Sequence, residues 1–286
     1  MKTVHSVLES CIALNYDFGT AYAHWRPIWH RYRDGTRLRE DDQEMRRDIL
    51  VNGRGDTPPR RIWDLYANRV VPWWAAHQYP WGISHAWMEE KKCKDVMTPI
   101  NEKEWPVPIA KDTNLDLIRT EMLNCGAEYA WLDVLCLKQM HGQREDLRDK
   151  EWKLDVPTIG WVYQKAPKVL CYNGLGRPLI LQTGYFESDQ YWFRRAWTLQ
   201  ETKEDMTIGG ETRDYRFVGT EIQYRFHEQL QLLRKMRSNE SVFDILLQMG
   251  KRMSTNLWIK SEAWHTFSTR SLTRHTVRRR CLDSAC

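Results

Sequence analysis

Residues 128–137 read EYAWLDVLCL, and the reading of this run decides the fold. It is apolar over the length of a strand and broken only by Asp133. A strand with one wet face alternates apolar and polar residues, whereas a continuous apolar run suits a strand buried on both faces of a parallel sheet. Parallel strands need long crossover connections, usually helices. The flanking sequence supplies them. Residues 112–126, DTNLDLIRTEMLNCG, put Leu115, Ile118 and Met122 on one helical face, with Thr113 or Asn114 as a cap and Gly126 as a stop. Residues 156–166, VPTIGWVYQKA, give Ile159, Val162, Tyr163 and Ala166 helical spacing, with Pro157 at a helix start.

Further outward, YPWGISHAW (79–87) predicts a short strand ending at Ser84-His85, followed by a loop. Residues 88–111 are charged and proline-containing and read as a long loop. KVLCYN (168–173) predicts a short buried strand, and GLGRP (174–178) a turn. Asp189 to Lys203 is a helix candidate, and MTIGG (206–210) a fourth strand. Strand and helix thus alternate over 79–209, the pattern of an α/β protein with a parallel sheet flanked by helices. Residues 1–70 read as a polar, helical N-terminal extension and linker, 71–210 as the α/β domain, and 211–286 as a helical C-terminal region with a basic tail.

Composition narrows the function classes. The net charge is +5, but residues 251–286 hold eight basic and two acidic side chains, so the rest of the chain is near neutral. A domain-wide nucleic-acid surface needs a basic face on the fold itself, and none is indicated; Arg278-Arg279-Arg280 belong to the tail. Fifteen tryptophans serve either as core anchors or as stacking surfaces. The seven cysteines are scattered with no CxxC pair, which argues against a zinc ribbon or a thioredoxin-type site and fits a reducing, cytoplasmic setting. No metal site is expected. No run of eighteen apolar residues occurs, so no membrane span is expected. GLGRPL lacks the third glycine of a dinucleotide fingerprint.

In an open parallel sheet, ligands bind beyond the carboxyl ends of the strands. Ser84, His85 and Trp87 follow the first predicted strand. Asp133 lies in the second, with Gln139 beyond it. Glu201 lies on the helix after the third. Neighbouring Ser84 and His85 point to opposite faces of a strand, so they are not a catalytic dyad. A carboxylate in an apolar strand must be paired, and Asp133 is either an acceptor for loop amides or a ligand contact. Glu201 is either a solvated helix residue, pairing with Arg194, Arg195 or Lys203, or a carboxylate that does chemistry. A hydrolase using Cys136 with His85 or His141 is disfavoured, because a cysteine in an apolar strand has a raised pKa and poor access.

Three stretches in this order, YPWGISHAW (79–87), GAEYAWLDVLCLKQ (126–139) and FRRAWTLQE (193–201), resemble the heterokaryon-incompatibility (HET) domain of fungal proteins. The segment EWKLDVPTIGWVYQKAPKVLCY between the last two is similar to the family's as well. Met88 stands where the family usually has Gly, and Lys138 and Met140 flank Gln139 where an acidic residue is common. The resemblance implies a cytoplasmic module of fungal non-self recognition. On that resemblance, self-assembly or a partner signalling protein would activate it, and it would trigger programmed cell death. The HET domain in turn resembles the TIR domain, which implies a flavodoxin-like sheet. In TIR enzymes that cleave NAD+ the essential glutamate lies on a Trp-x-x-x-Glu stretch, and Trp197 to Glu201 has that spacing. The resemblance therefore implies Glu201 as the catalytic residue. Ser84, His85, Trp87, Asp133, Trp197 and Arg195 would be substrate contacts, with NAD+ as substrate rather than bound cofactor. The competing expectation is a non-enzymatic signalling scaffold of the same fold, acting by homotypic assembly.

Overall fold

The computed structural model describes residues 4–31, 35–52, 57–76, 78–86, 90–176, 191–195, 198–203, 206–210 and 220–238. Three helices open the chain: α1 (Val4–Ala13), α2 (Phe18–Arg31) and α3 (Gly35–Asn52). A hairpin follows, β1 (Arg61–Asp64) and β2 (Arg69–Pro72), then the short α4 (Trp73–Ala76) and β3 (Trp81–His85). A second hairpin, β4 (Cys93–Met97) and β5 (Pro106–Ala110), precedes α5 (Leu115–Asn124) and β6 (Tyr129–Trp131). Next come α6 (Asp133–Cys136), α7 (Glu145–Asp155), α8 (Ile159–Lys165), β7 (Val169–Tyr172), α9 (Thr198–Glu201), β8 (Met206–Ile208) and α10 (Thr220–Ser238).

The result is a mixed α/β architecture with a six-stranded sheet in the order β2-β1-β6-β3-β7-β8. The four strands β6, β3, β7 and β8 run parallel, while β1 joins β2 and β6 antiparallel. Helices cover both faces of the parallel strands. Gly82 of β3 faces the Tyr163 ring of α8. Three residues on, and so on the other side of the pleat, the register pairs His85 with Tyr172, whose hydroxyl donates to Glu121 of α5 at 2.8 Å. Since side chains alternate along a strand, α8 lies on one face and α5 on the other. Every residue of β7 is buried, as expected of a strand covered on both sides. Trp63, Trp105 and Trp192 are among the largest fully buried side chains, so the tryptophan excess goes in good part into the core. Each fully buried Ile or Leu of that core contributes about 1.5–3 kcal/mol.

Helix α5 matches its expectation closely. Asn114 caps it by accepting from the Asp116 N–H at 2.8 Å, Leu115, Ile118 and Met122 are buried, and Gly126 follows with φ of 90°. The expected strand at 206–210 is present as β8. Other segments differ. The run at 128–137 is a strand only over Tyr129–Trp131, and Asp133 starts a helical turn rather than lying within the strand. The backbone turns here: the Leu135 and Cys136 N–H groups donate to the Leu132 carbonyl at 3.0 and 2.8 Å and the Leu137 N–H to the Asp133 carbonyl at 2.8 Å, closing a helical turn in place of a ladder. The Asp133 carboxylate accepts from the Val134 N–H at 2.8 Å. The loop expected over 88–111 contains the β4–β5 hairpin, which forms its own two-stranded sheet. Pro106 and Pro108 fit there because each strand of a two-stranded sheet is an edge.

The sheet begins at residue 61, inside the segment expected to be a helical extension and linker. Asp64 makes the turn by accepting from the Tyr66 and Ala67 N–H groups, and Trp63 donates to Asn68. The continuous helix expected from Asp189 to Lys203 is absent over its described part. Trp192–Arg194 form a single 3-10 turn, Arg195 is extended with ψ of 141°, and α9 spans four residues. Residues 177–190, Trp87, Met88, Trp197 and the basic tail lie outside the described residues. Among those described, no helix is long and apolar enough to cross a membrane.

Candidate functional site

The candidate site is assembled where β3 and β6 end. His85 is the last residue of β3 and Asp133 lies two residues past β6. Because these strands are parallel neighbours, their carboxyl ends adjoin, and His85 Nε2 lies 2.8 Å from Asp133 Oδ1. The same Asp133 oxygen takes the Val134 N–H, so the carboxylate is held from two sides. Gln139, also buried, donates to the Leu137 carbonyl at 2.9 Å and to the Asp133 carbonyl at 3.4 Å. It closes the turn that carries Asp133.

One position back on β3, Ser84 is wholly buried and its hydroxyl donates to Glu201 Oε2. Trp192 Nε1 donates to the same hydroxyl oxygen at 2.7 Å. Glu201 is at the end of α9, which packs on both α8 and β3. The short helix is braced by Thr198, whose hydroxyl donates to the Arg195 carbonyl at 2.7 Å, and by Thr202, whose hydroxyl donates to the Thr198 carbonyl at 2.6 Å. Lys203 Nζ donates to the Ala166 carbonyl, tying the next residues to the end of α8.

Electrostatically the site is one unit. Burial pushes the Glu201 carboxyl up from 4.5 to about 7; the Asp133 charge adds to the rise, and the Ser84 hydroxyl, His85 and Arg195 oppose it. Burial disfavours a charged His85, but the Asp133 carboxylate and the Glu201 charge outweigh it, and the imidazole pKa is raised. Arg195 is lowered by burial, with Glu201 opposing. Burial, then the Glu201 charge, raise the Tyr163 hydroxyl and the Cys171 thiol well above their usual range. Glu201 is only 9% exposed, so it is not the solvated helix residue of the simpler expectation.

Of the residues singled out in the sequence, Ser84, His85, Asp133, Arg195 and Glu201 are brought into this neighbourhood; Trp87 and Trp197 lie outside the described residues. Ser84 pairs with Glu201 and Trp192, and His85 pairs with Asp133, in keeping with their opposite faces. The cysteine alternative weakens: burial pushes the Cys136 thiol up to about 12, far from the thiolate a nucleophile needs. Among the described residues, no three His, Cys, Asp or Glu side chains form a metal-binding group. Sequence reasoning missed Trp192. In an apolar stretch its ring reads as core, and only the need of a buried indole N–H for an acceptor could have drawn notice.

A buried carboxylate at the carboxyl edge of a parallel sheet, flanked by a His–Asp pair, defines the class to which the chain belongs: mixed α/β proteins with a polar site at the strand ends. No family model matches the chain, and no curated protein or solved structure matches it.

Proposed function

We propose that this chain is a HET-type, TIR-like effector of programmed cell death in fungal non-self recognition. In this reading it cleaves the nicotinamide–ribose bond of NAD+. The observation that carries the reading is the burial of Glu201 against Ser84, beside the His85–Asp133 pair, at the ends of parallel strands. Support for a flavodoxin-like sheet comes from the strand order. Among the parallel strands, β6-β3-β7-β8 is second-first-third-fourth in chain order, the order of flavodoxin-type sheets, which bind ligands at the switch between the first and third strands. Ser84 and His85 are on the first of these.

The chemistry fits one carboxylate. The C1′–N bond breaks with its electron pair leaving on nicotinamide, a neutral group that needs no acid. The ribosyl centre left behind is an oxocarbenium-like cation, as in glycoside hydrolysis. Ionised Glu201 stabilises that cation. Water then bonds to C1′ and gives its proton to Glu201 or solvent. A pKa of about 7 leaves a substantial ionised fraction at neutral pH. Arg195 is the candidate contact for the substrate's phosphates.

The test is nicotinamide release from NAD+ by the purified chain under conditions that favour self-assembly, with Glu201→Ala as control. Release that depends on Glu201 supports the reading, and no release from the unmodified protein overturns it. A second reading, a scaffold that acts by assembly alone, draws on the complete burial of Ser84 and Trp192, since satisfied buried networks also serve to fix packing. It expects Glu201→Ala to leave cell killing intact.

A further inference from the structure

We propose that Trp192 is a positioning residue for Glu201, acting through Ser84: its indole N–H sets the direction in which the serine hydroxyl gives its proton. The proposal rests on the reading of Glu201 as the reacting carboxylate, but its geometry stands apart from that reading. Trp192 and Ser84 are both wholly buried, so neither exchanges its partner for bulk water. An indole N–H can only donate, whereas a hydroxyl has one donor and two acceptor lone pairs. Trp192 Nε1 lies 2.7 Å from Ser84 Oγ and occupies one lone pair. The hydroxyl proton is then directed to the remaining acceptor, Glu201 Oε2.

The direction of the second bond matters chemically. A carboxylate accepts the serine proton, whereas a neutral carboxylic acid would instead donate its own proton to the serine oxygen. A donor already seated on that oxygen favours the first arrangement over the second. Hydrogen bonding to the charged form favours that form, so the relay from Trp192 through Ser84 opposes the rise that burial imposes on the Glu201 pKa. The Trp192 ring is itself held in place, packed edge-on against Phe193 with centroids 5.0 Å apart and planes at 83°. The 3-10 turn over Trp192–Arg194 thus delivers one side chain into the core against Ser84.

The experiment follows the Glu201 carboxyl carbon by 13C NMR across pH 5–9 in the full chain, assigned by its loss in Glu201→Gln. Three variants are compared: Ser84→Ala, Trp192→Phe, and a chain with benzothienylalanine at 192, which keeps the bicyclic shape and replaces N–H by sulfur. The expected result is an upward shift of the Glu201 midpoint by about half to one pH unit in both 192 variants, the size of one ordinary hydrogen bond. Ser84→Ala should shift it at least as far. Where NAD+ cleavage is observed, the acid limb of kcat should move by the same amount, with KM for NAD+ little changed. If Trp192→Phe fails to fold, the benzothienylalanine chain decides. An unchanged midpoint in that chain, with or without a shift in Ser84→Ala, overturns the proposal. Absence of cleavage in the unmodified protein overturns the enzymatic reading alone and leaves the titration as the test of the relay.

Discussion

Ser84 and Glu201 are 117 residues apart in the chain and joined by one hydrogen bond inside the core. The contact links the end of β3 to the end of α9, so the carboxylate is fixed by the sheet as well as by its own short helix. A four-residue helix has little stability of its own. Its geometry is imposed by tertiary packing, and the precision of Glu201 therefore depends on Ser84 and its surroundings.

Removing the charge while keeping the acceptor separates chemistry from packing. Glu201→Gln retains an oxygen to accept from Ser84 but cannot stabilise a cation. On the proposed reading, NAD+ cleavage, followed by nicotinamide release, should fall by about 100-fold or more, the scale for losing a preorganised electrostatic partner. Circular dichroism should be unchanged.

The same variant reports on stability against pH. Glu201 titrates near 4.5 when unfolded and at about 7 when folded, so between these values the native state binds more protons. Stability must fall as pH rises through that window. The unfavourable contribution is absent below pH 4.5 and complete above pH 7, where the shift corresponds to about 3 kcal/mol. His85, whose pKa is also raised, loses its favourable contribution as pH rises through its folded value, in the same direction. Glu201→Gln should therefore gain stability relative to the unmodified chain as pH rises from 5 to 8. Urea midpoints at both pH values check this.

Local signals were legible in the sequence and long-range ones were not. Helix α5 carries its cap, apolar face and stop within fifteen residues, and each was readable. The end of β6 was not, because periodicity cannot show that Asp133 turns its carboxylate onto the next N–H. The β1–β2 hairpin was hidden in a polar context, although RIWD and RVVP are strand-like. At the site, Ser84, His85, Asp133 and Glu201 were each identifiable as candidates. Their pairing follows from the adjacency of β3 and β6 and from the packing of α9 on β3, which are properties of the folded chain.

Gly82 tests how closely α8 must approach β3. A Cβ there would come within 2.8 Å of the Tyr163 ring, and Tyr163 donates to the Ile83 carbonyl at 2.9 Å. Tyr163 is buried, so its ring cannot swing into solvent to relieve the contact. Gly82→Ala should destabilise the chain by about 1–3 kcal/mol, the usual cost of overpacking, measured by denaturant unfolding.

The His85–Asp133 pair makes a separate prediction, read directly by NMR. His85 is buried, and burial alone would lower its pKa; the adjacent Asp133 carboxylate and its hydrogen bond, together with the Glu201 charge, raise it instead. Asp133→Asn removes the nearest opposing charge but leaves an oxygen for the ring to bond. The imidazole should then titrate lower than in the unmodified chain, because the desolvation of β3's last residue has lost its largest offset. Glu201→Gln should lower it too, by less, since that charge is the weaker influence. If Asp133→Asn left the His85 midpoint in place, the 2.8 Å contact would not be an ion pair in solution. The electrostatic coupling of the two halves of the site would then have to run through Glu201 alone.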